Sequence, residues 1–200
     1  MKVWKEDNLL GRVRESKRVV ARSKSHLKKL IKERILKFGP NCDLNDIDVS
    51  QITDMSELFY LSMFNGDISQ WDVSNVTNMR GMFMDSYFTG DISQWDVSNV
   101  DTMSHMFWGS RFNGDISQWD VSNVTNMKYM FYASKFNGDI SQWDVSNVET
   151  MFGMFWCSKF NKNISNWDVS DSYVEYMFKE SPLEGREPSW YKKVLKKRAF

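Results

Sequence analysis

The chain has 200 residues, with nine Trp, 14 Phe and 13 Met against only three Pro, whereas ordinary cores rely on Leu, Ile and Val. Its formal charge of zero is an average: residues 1–40 carry 13 Lys/Arg against four Asp/Glu, residues 41–183 seven against 20, and residues 184–200 six against two. No apolar run of 18 residues exists, which excludes a membrane-spanning helix. Leu9 and Leu10 are followed at once by Arg12, Arg14, Lys17 and Arg18, which excludes the apolar segment of a secretory signal. The expected location is therefore cytoplasmic, or the cell surface if an export signal has been removed.

In chain order, Leu9, Leu10, Val13 and Val20 are spaced helically among basic residues. Residues 1–23 are expected to extend the cap that follows, with an acidic partner, nucleic acid or an anionic membrane surface as the alternative. Leu27, Leu30, Ile31 and Ile35 form an apolar stripe over residues 24–38, closed by Phe38-Gly39-Pro40. This predicts an amphipathic helix covering the end of what comes next.

What comes next is a repeat. Trp71, Trp95, Trp119, Trp143 and Trp167 are each 24 residues apart. Ile68, Ile92, Ile116, Ile140 and Ile164 precede them, Val73, Val97, Val121, Val145 and Val169 follow them, and Phe64, Phe88, Phe112, Phe136 and Phe160 lead each copy. An earlier, diverged copy keeps the same slots with Leu44, Ile47, Val49, Ile52, Met55, Leu58 and Phe59, making six units. The last unit has lost one residue between Trp167 and Phe178.

Within a unit, Ile-Ser-Gln-Trp-Asp-Val alternates as a half-buried strand does. Val76, Met79, Met82 and Phe83 then recur at helical spacing, with Ser74 and Asn75 placed as a cap. Asn65-Gly66-Asp67 is turn chemistry. The expected fold is an α/β solenoid of six 24-residue strand–helix units with one parallel sheet and a helical N-terminal cap. Its segments are a basic helical N-terminal segment and cap (1–40), the repeat solenoid (41–183) and a basic C-terminal cap or tail (184–200). The five Trp are the expected spine, a tryptophan ladder, and Trp190, Tyr191, Val194 and Leu195 are placed to cover the far end. Cys42 and Cys157, 115 residues apart, are expected to be separate buried thiols.

Phe-Asn-Gly-Asp-Ile-Ser-Gln-Trp-Asp-Val-Ser-Asn-Val-Thr-Asn-Met resembles the repeat of the BspA-like, Mycoplasma-lipoprotein-type leucine-rich-repeat surface proteins. The resemblance covers roughly residues 44–183. It implies a leucine-rich-repeat-like solenoid with parallel strands on one face and, for secreted members, adhesion to host or neighbouring cells. The signal peptide and lipid-attachment cysteine of such proteins are not expected from the residues given.

Catalytic residues are not evident, since no Gly-rich phosphate loop, Gly-x-Ser-x-Gly or Ser/His/Asp set occurs. His26 and His105 lie in different segments with no Cys at metal-ligand spacing, so neither metal nor cofactor is expected, and His105 reads as a surface residue. Asp72, Asp96, Asp120, Asp144 and Asp168 would stack about 4.8 Å apart. They are read as a structural ladder accepting hydrogen bonds from adjacent coils, with calcium, there or at Asp67, Asp91, Asp115 and Asp139, and nucleic-acid mimicry as alternatives.

Function is sought where the copies differ. Trp108, Tyr132 and Trp156, flanked by Arg111, Lys135 and Lys159, have the composition of a protein-binding hot spot, against the alternative that these rings only pack between neighbours. The expected function is a non-enzymatic protein-interaction scaffold. The alternatives are a nucleic-acid-associated or nucleic-acid-mimicking factor, with binding through basic residues 1–40, and an exported surface adhesin. Self-association through a poorly covered end is also compatible with this pattern.

Overall fold

The structure, a computed structural model, describes residues 18–198; the reading of Leu9, Leu10 and Val13 lies outside them. Helix α1 (Lys24–Phe38) begins where the Ser23 side-chain oxygen accepts the His26 N–H at 3.2 Å, satisfying one of the free donors of the first turn. It buries Leu27, Leu30 and Ile31 and packs Ile35 against the core. It ends at Gly39, whose φ of 87° sits ahead of Pro40 and whose N–H returns to the Ile35 carbonyl at 2.9 Å. Just before α1, strand β1 (Val19–Val20) pairs in parallel with β2 (Ile47–Asp48) in the first unit, Val19 opposite Ile47. Arg34 to Asp46 (2.5 Å) and Lys24 to Asp54 (3.0 Å) tie the helix down.

The strand–helix unit expected from the sequence is not what forms. Among the described residues the units contain no α-helix, and their one regular strand is β2. The chain instead makes consecutive tight turns. Trp71 N–H bonds to the Ile68 carbonyl, Val76 to Val73, Met82 to Met79, Met84 to Gly81 and Ser86 to Phe83, at 2.8–3.2 Å. Turns closed by a bond to the third residue back put every third or fourth side chain on one face, which mimics a helical period. A continuous helix is blocked because two positions per unit are left-handed: Glu57, Gly81, His105, Tyr129, Gly153 and Tyr176 in one row, Leu61, Asp85, Gly109, Ala133, Cys157 and Glu180 in the other.

Successive units bond to one another through the same stretch. The N–H groups of Met79, Gly81, Phe83 and Asp85 donate to the carbonyls of Thr102, Ser104, Met106 and Trp108 in the following unit, at 2.7–3.0 Å. The carbonyls of Asn78, Arg80, Met82 and Met84 accept from Met55, Glu57, Phe59 and Leu61 in the preceding one. Single parallel bridges run through Asp54, Asn78, Thr102, Asn126, Thr150 and Tyr173. Asn75, Asn99, Asn123 and Asn147, read from the sequence as helix caps, each donate a side-chain amide to the preceding unit's Ser50, Ser74, Ser98 or Ser122 carbonyl at 2.7–2.8 Å.

The interior is a set of aromatic rows. Phe59, Phe83, Phe107, Phe131, Phe155 and Phe178 stack with centroids 5.5–6.0 Å apart. A second row, Phe64 to Phe160, keeps 6.1–6.4 Å. The tryptophans form the outer rank: Trp71, Trp95, Trp119, Trp143 and Trp167 are buried, and each indole N–H reaches the preceding unit, at the carbonyls of Leu44, Ile68, Ile92, Ile116 and Ile140 (3.0–3.1 Å). The spine is thus shared between Phe and Trp. At the far end helix α2 (Ser189–Arg198) supplies Trp190, whose indole takes the same bond to Ile164 at 3.0 Å, and it buries Tyr191 and Val194.

Cys42 and Cys157 are unpaired thiols. Cys42 is buried, but Cys157 is only half-buried and donates to Glu180 at 3.0 Å, because its slot is one of the left-handed surface positions.

Candidate interaction surface

The variable slots lie on the stretch of turns that links the units, so residues 24 apart become neighbours. Trp108 and Tyr132 have ring centroids 4.1 Å apart, and Tyr132 and Trp156 5.6 Å, with all three half-buried. The structure brings these three together and adds rings the sequence reading left out. His105 stacks on Trp108 (5.3 Å), Tyr129 meets Trp108 edge-on (5.2 Å), Phe152 meets Tyr129 edge-on (5.2 Å) and Tyr176 continues from Trp156 (5.8 Å).

His105 is therefore not a free surface residue. Burial first, then the Arg80 and Lys128 cations, lower its pKa, so the imidazole in the strip is neutral at pH 7. The available signal was the company it keeps: its slot holds Gly81 and Gly153 in other copies, which marks a left-handed position. There a side chain leaves the backbone toward its neighbours. A Cβ on Gly153 would lie 2.4 Å from a Tyr129 ring carbon, so the glycine is what lets that ring lie flat over the next unit.

The cations are arranged differently from the expectation. Arg111, Lys135 and Lys159 are exposed, but Arg111 sits over the Tyr87 ring at 3.9 Å rather than beside Trp108. The cations on the strip are Lys128, 5.4 Å from the Tyr129 and Phe152 rings, and Lys179, 4.6 Å over Trp156. Lys179 occupies the slot of Trp156 in the shortened last unit, which is why the fixed period did not find it.

The aspartate row is exposed. Asp72, Asp96, Asp120 and Asp144 each accept from both the N–H and the hydroxyl of the serine two residues on, at 3.0–3.1 and 2.6–2.7 Å, while Asp168 accepts the Ser170 N–H at 3.2 Å. The expected bonds from adjacent coils are replaced by these local ones because an Asx turn closes on itself. Asp67, Asp91, Asp115 and Asp139 cap the next serine in the same way. Among the described residues no group of three or more His, Cys, Asp or Glu is placed to hold a metal. Among the described residues no helix is long and apolar enough to cross a membrane.

The chain belongs to the family described as Mycoplasma protein of unknown function, DUF285, whose profile matches it twice, over residues 26–131 and 84–189. No curated protein and no solved structure matches it.

Proposed function

We propose that this protein is a non-enzymatic scaffold, a solenoid of six stacked units that binds a protein partner through the strip Trp108, Tyr132 and Trp156. The observation that carries the reading is that rings in slots where the copies of an otherwise repeated sequence differ converge into one half-exposed run with cations at its edge. Core slots are explained by stacking; these are not, and aromatic plus basic side chains are the groups that contribute most at protein interfaces. The partner segment is apolar with acidic residues, to suit Lys128 and Lys179 and the exposed row Arg111, Lys135 and Lys159.

The test is capture by the immobilised chain from an extract of its source, beside a Trp108→Ser/Tyr132→Ser variant with unchanged thermal unfolding and a nuclease-treated control. One protein retained through nuclease and lost with the variant supports the reading. Capture that depends on nucleic acid moves the weight to the basic residues before the repeat. Membership of the family, together with the repeat motif, favours a second setting for the same surface: a BspA-like protein displayed on the cell exterior as an adhesin. Digestion of intact cells with a protease decides it, since only a displayed chain is shaved.

A further inference from the structure

The two ends of the stack are chemically opposite. Along residues 79–85 and their equivalents every bond between units has one sense: the donor N–H lies in the earlier unit and the acceptor carbonyl in the later one. The first unit therefore turns the carbonyls of Asp54, Ser56, Leu58 and Tyr60 toward the start, where no unit precedes it among the described residues. The last unit turns the N–H groups of Val174, Tyr176, Phe178 and Glu180 toward the finish. Aligned peptide dipoles leave a negative pole at the start and a positive pole at the finish, as in a helix.

The unpaired charges lining the groove at each end carry the sign opposite to the pole it faces; the exposed α2 cations Lys192, Lys193, Lys196 and Lys197 lie outside the lining of the finish groove. At the start, α1 runs beside the first unit and lines a groove with Lys28, Lys32 and Leu36 against Glu57, Leu58 and Tyr60. Glu57 is neutralised by Arg80 at 2.6 Å, whereas Lys28 and Lys32 have no ion-pair partner among the described residues. At the finish, a groove of about 550 Å³ is lined by Glu175, Glu184 and Glu187 with Tyr176, Tyr191 and Leu195. None of these three carboxylates has an ion-pair partner among the described residues. Lys179, on the same groove, is drawn over Trp156, and Lys193 and Lys197 of α2 line a different hollow beside Trp167. Glu184 already captures one outward donor, the Glu180 N–H, at 2.9 Å.

Among the described residues apolar exposure is concentrated at the start: Leu36 (76 %), Leu61 (63 %), Met63 (61 %), Phe38 (59 %) and Tyr60 (45 %) are exposed there, against Tyr176 (49 %) at the finish. A patch of this kind marks an interface.

We infer that the start of one molecule docks on the finish of a second copy, Lys28 and Lys32 against Glu184 and Glu187, with Leu36 and Tyr60 covered in between. Start-to-start pairing would bring lysines against lysines. Because the two surfaces differ, the contact is heterologous and does not close at a dimer; it continues into a row of copies. This rests on the charges of the two ends; of the aromatic strip only Tyr176 and Lys179 border the finish groove.

The experiment is sedimentation of the full chain over a concentration series, with Lys28→Glu/Lys32→Glu, Glu184→Lys/Glu187→Lys and Leu36→Ser alongside, each checked for unchanged thermal unfolding. The expected result is wild-type assembly that grows beyond the dimer and weakens as salt rises. Each charge-reversed variant stays monomeric alone, an equimolar mixture of the two regains assembly, and Leu36→Ser shifts the midpoint to at least about tenfold higher concentration. A wild-type chain that stays monomeric at about 100 µM, a closed dimer, or assembly indifferent to both charge reversals overturns the inference. If one charge variant misfolds, the other charge variant and Leu36→Ser still decide it, because a row held through other faces would respond to neither.

Discussion

Each ladder tryptophan fills the interior and also hooks its unit to the one before. Trp119 allows the two roles to be separated, since its indole N–H donates to the Ile92 carbonyl at 3.1 Å. Trp119→Ala removes both and is expected to lower stability by about 3–5 kcal/mol. Trp119→Phe keeps most of the volume but leaves the carbonyl unpaired, for a loss of about 1–3 kcal/mol; denaturant titration of the two variants measures the difference. Gly153 is the complementary case, a position defined by what must be absent. Gly153→Ala places a Cβ at φ +60° and 2.4 Å from the Tyr129 ring, which is expected to cost at least about 1–2 kcal/mol. Adding Tyr129→Gly should recover part of that loss in a double-mutant cycle. The titrating residues fix the pH response. Hydrogen bonds from Ser98 and Ser146 lower the pKa of Asp96 and Asp144, and burial lowers that of His105. In each case the unfolded chain binds more protons, so the stabilisation is present above the unfolded pKa and is lost as pH falls through the folded one. Melting temperature should decline in two stages, starting below about 6.5 for the histidine and below about 4 for the aspartates. His105→Gln should remove the upper stage and leave the lower.

At the scale of the element, the ends were legible in the sequence and the middle was only partly so. The stripe Leu27, Leu30, Ile31 and Ile35 with Gly39-Pro40 after it is the ordinary signature of a capped amphipathic helix, and α1 occupies that range. Ser23→Ala should loosen this cap by about 1 kcal/mol, seen as earlier melting of the far-ultraviolet helix signal relative to the aromatic signal of the stack. The unit itself was misread because Val76, Met79, Met82 and Phe83 have a spacing that a helix and a run of closed turns produce alike. What distinguishes them is the pair of left-handed residues, four apart, in each unit, and a sequence discloses that only where glycine holds it, as at Gly81 and Gly153 but not at His105 and Tyr129. The strip suffered from the same ambiguity. Trp108, Tyr132 and Trp156 share a slot and could be picked out by period, whereas His105, Tyr129 and Phe152 join them from two other slots that become adjacent only once the turns are placed.

For the whole molecule, the bonds that hold one unit are made to its immediate neighbours, 22 to 27 residues away. Stability then follows the number of contacts between units rather than a single centre. Removing residues 91–114, one full period, should give a shorter folded protein whose aromatic rows remain in register. Removing residues 91–102 should not, because it sets Trp119 against the wrong partners; size-exclusion and near-ultraviolet dichroism of the two deletions report the outcome. The same neighbour-only bonding governs how the molecule responds to being pulled. Each inner unit is fastened to the unit before it by seven backbone bonds, one asparagine amide and one indole hook. Tension between the two ends would peel the stack from an end, one unit at a time, each release paying out about 80 Å of chain. A protein made this way lengthens in steps at nearly constant load instead of failing at once.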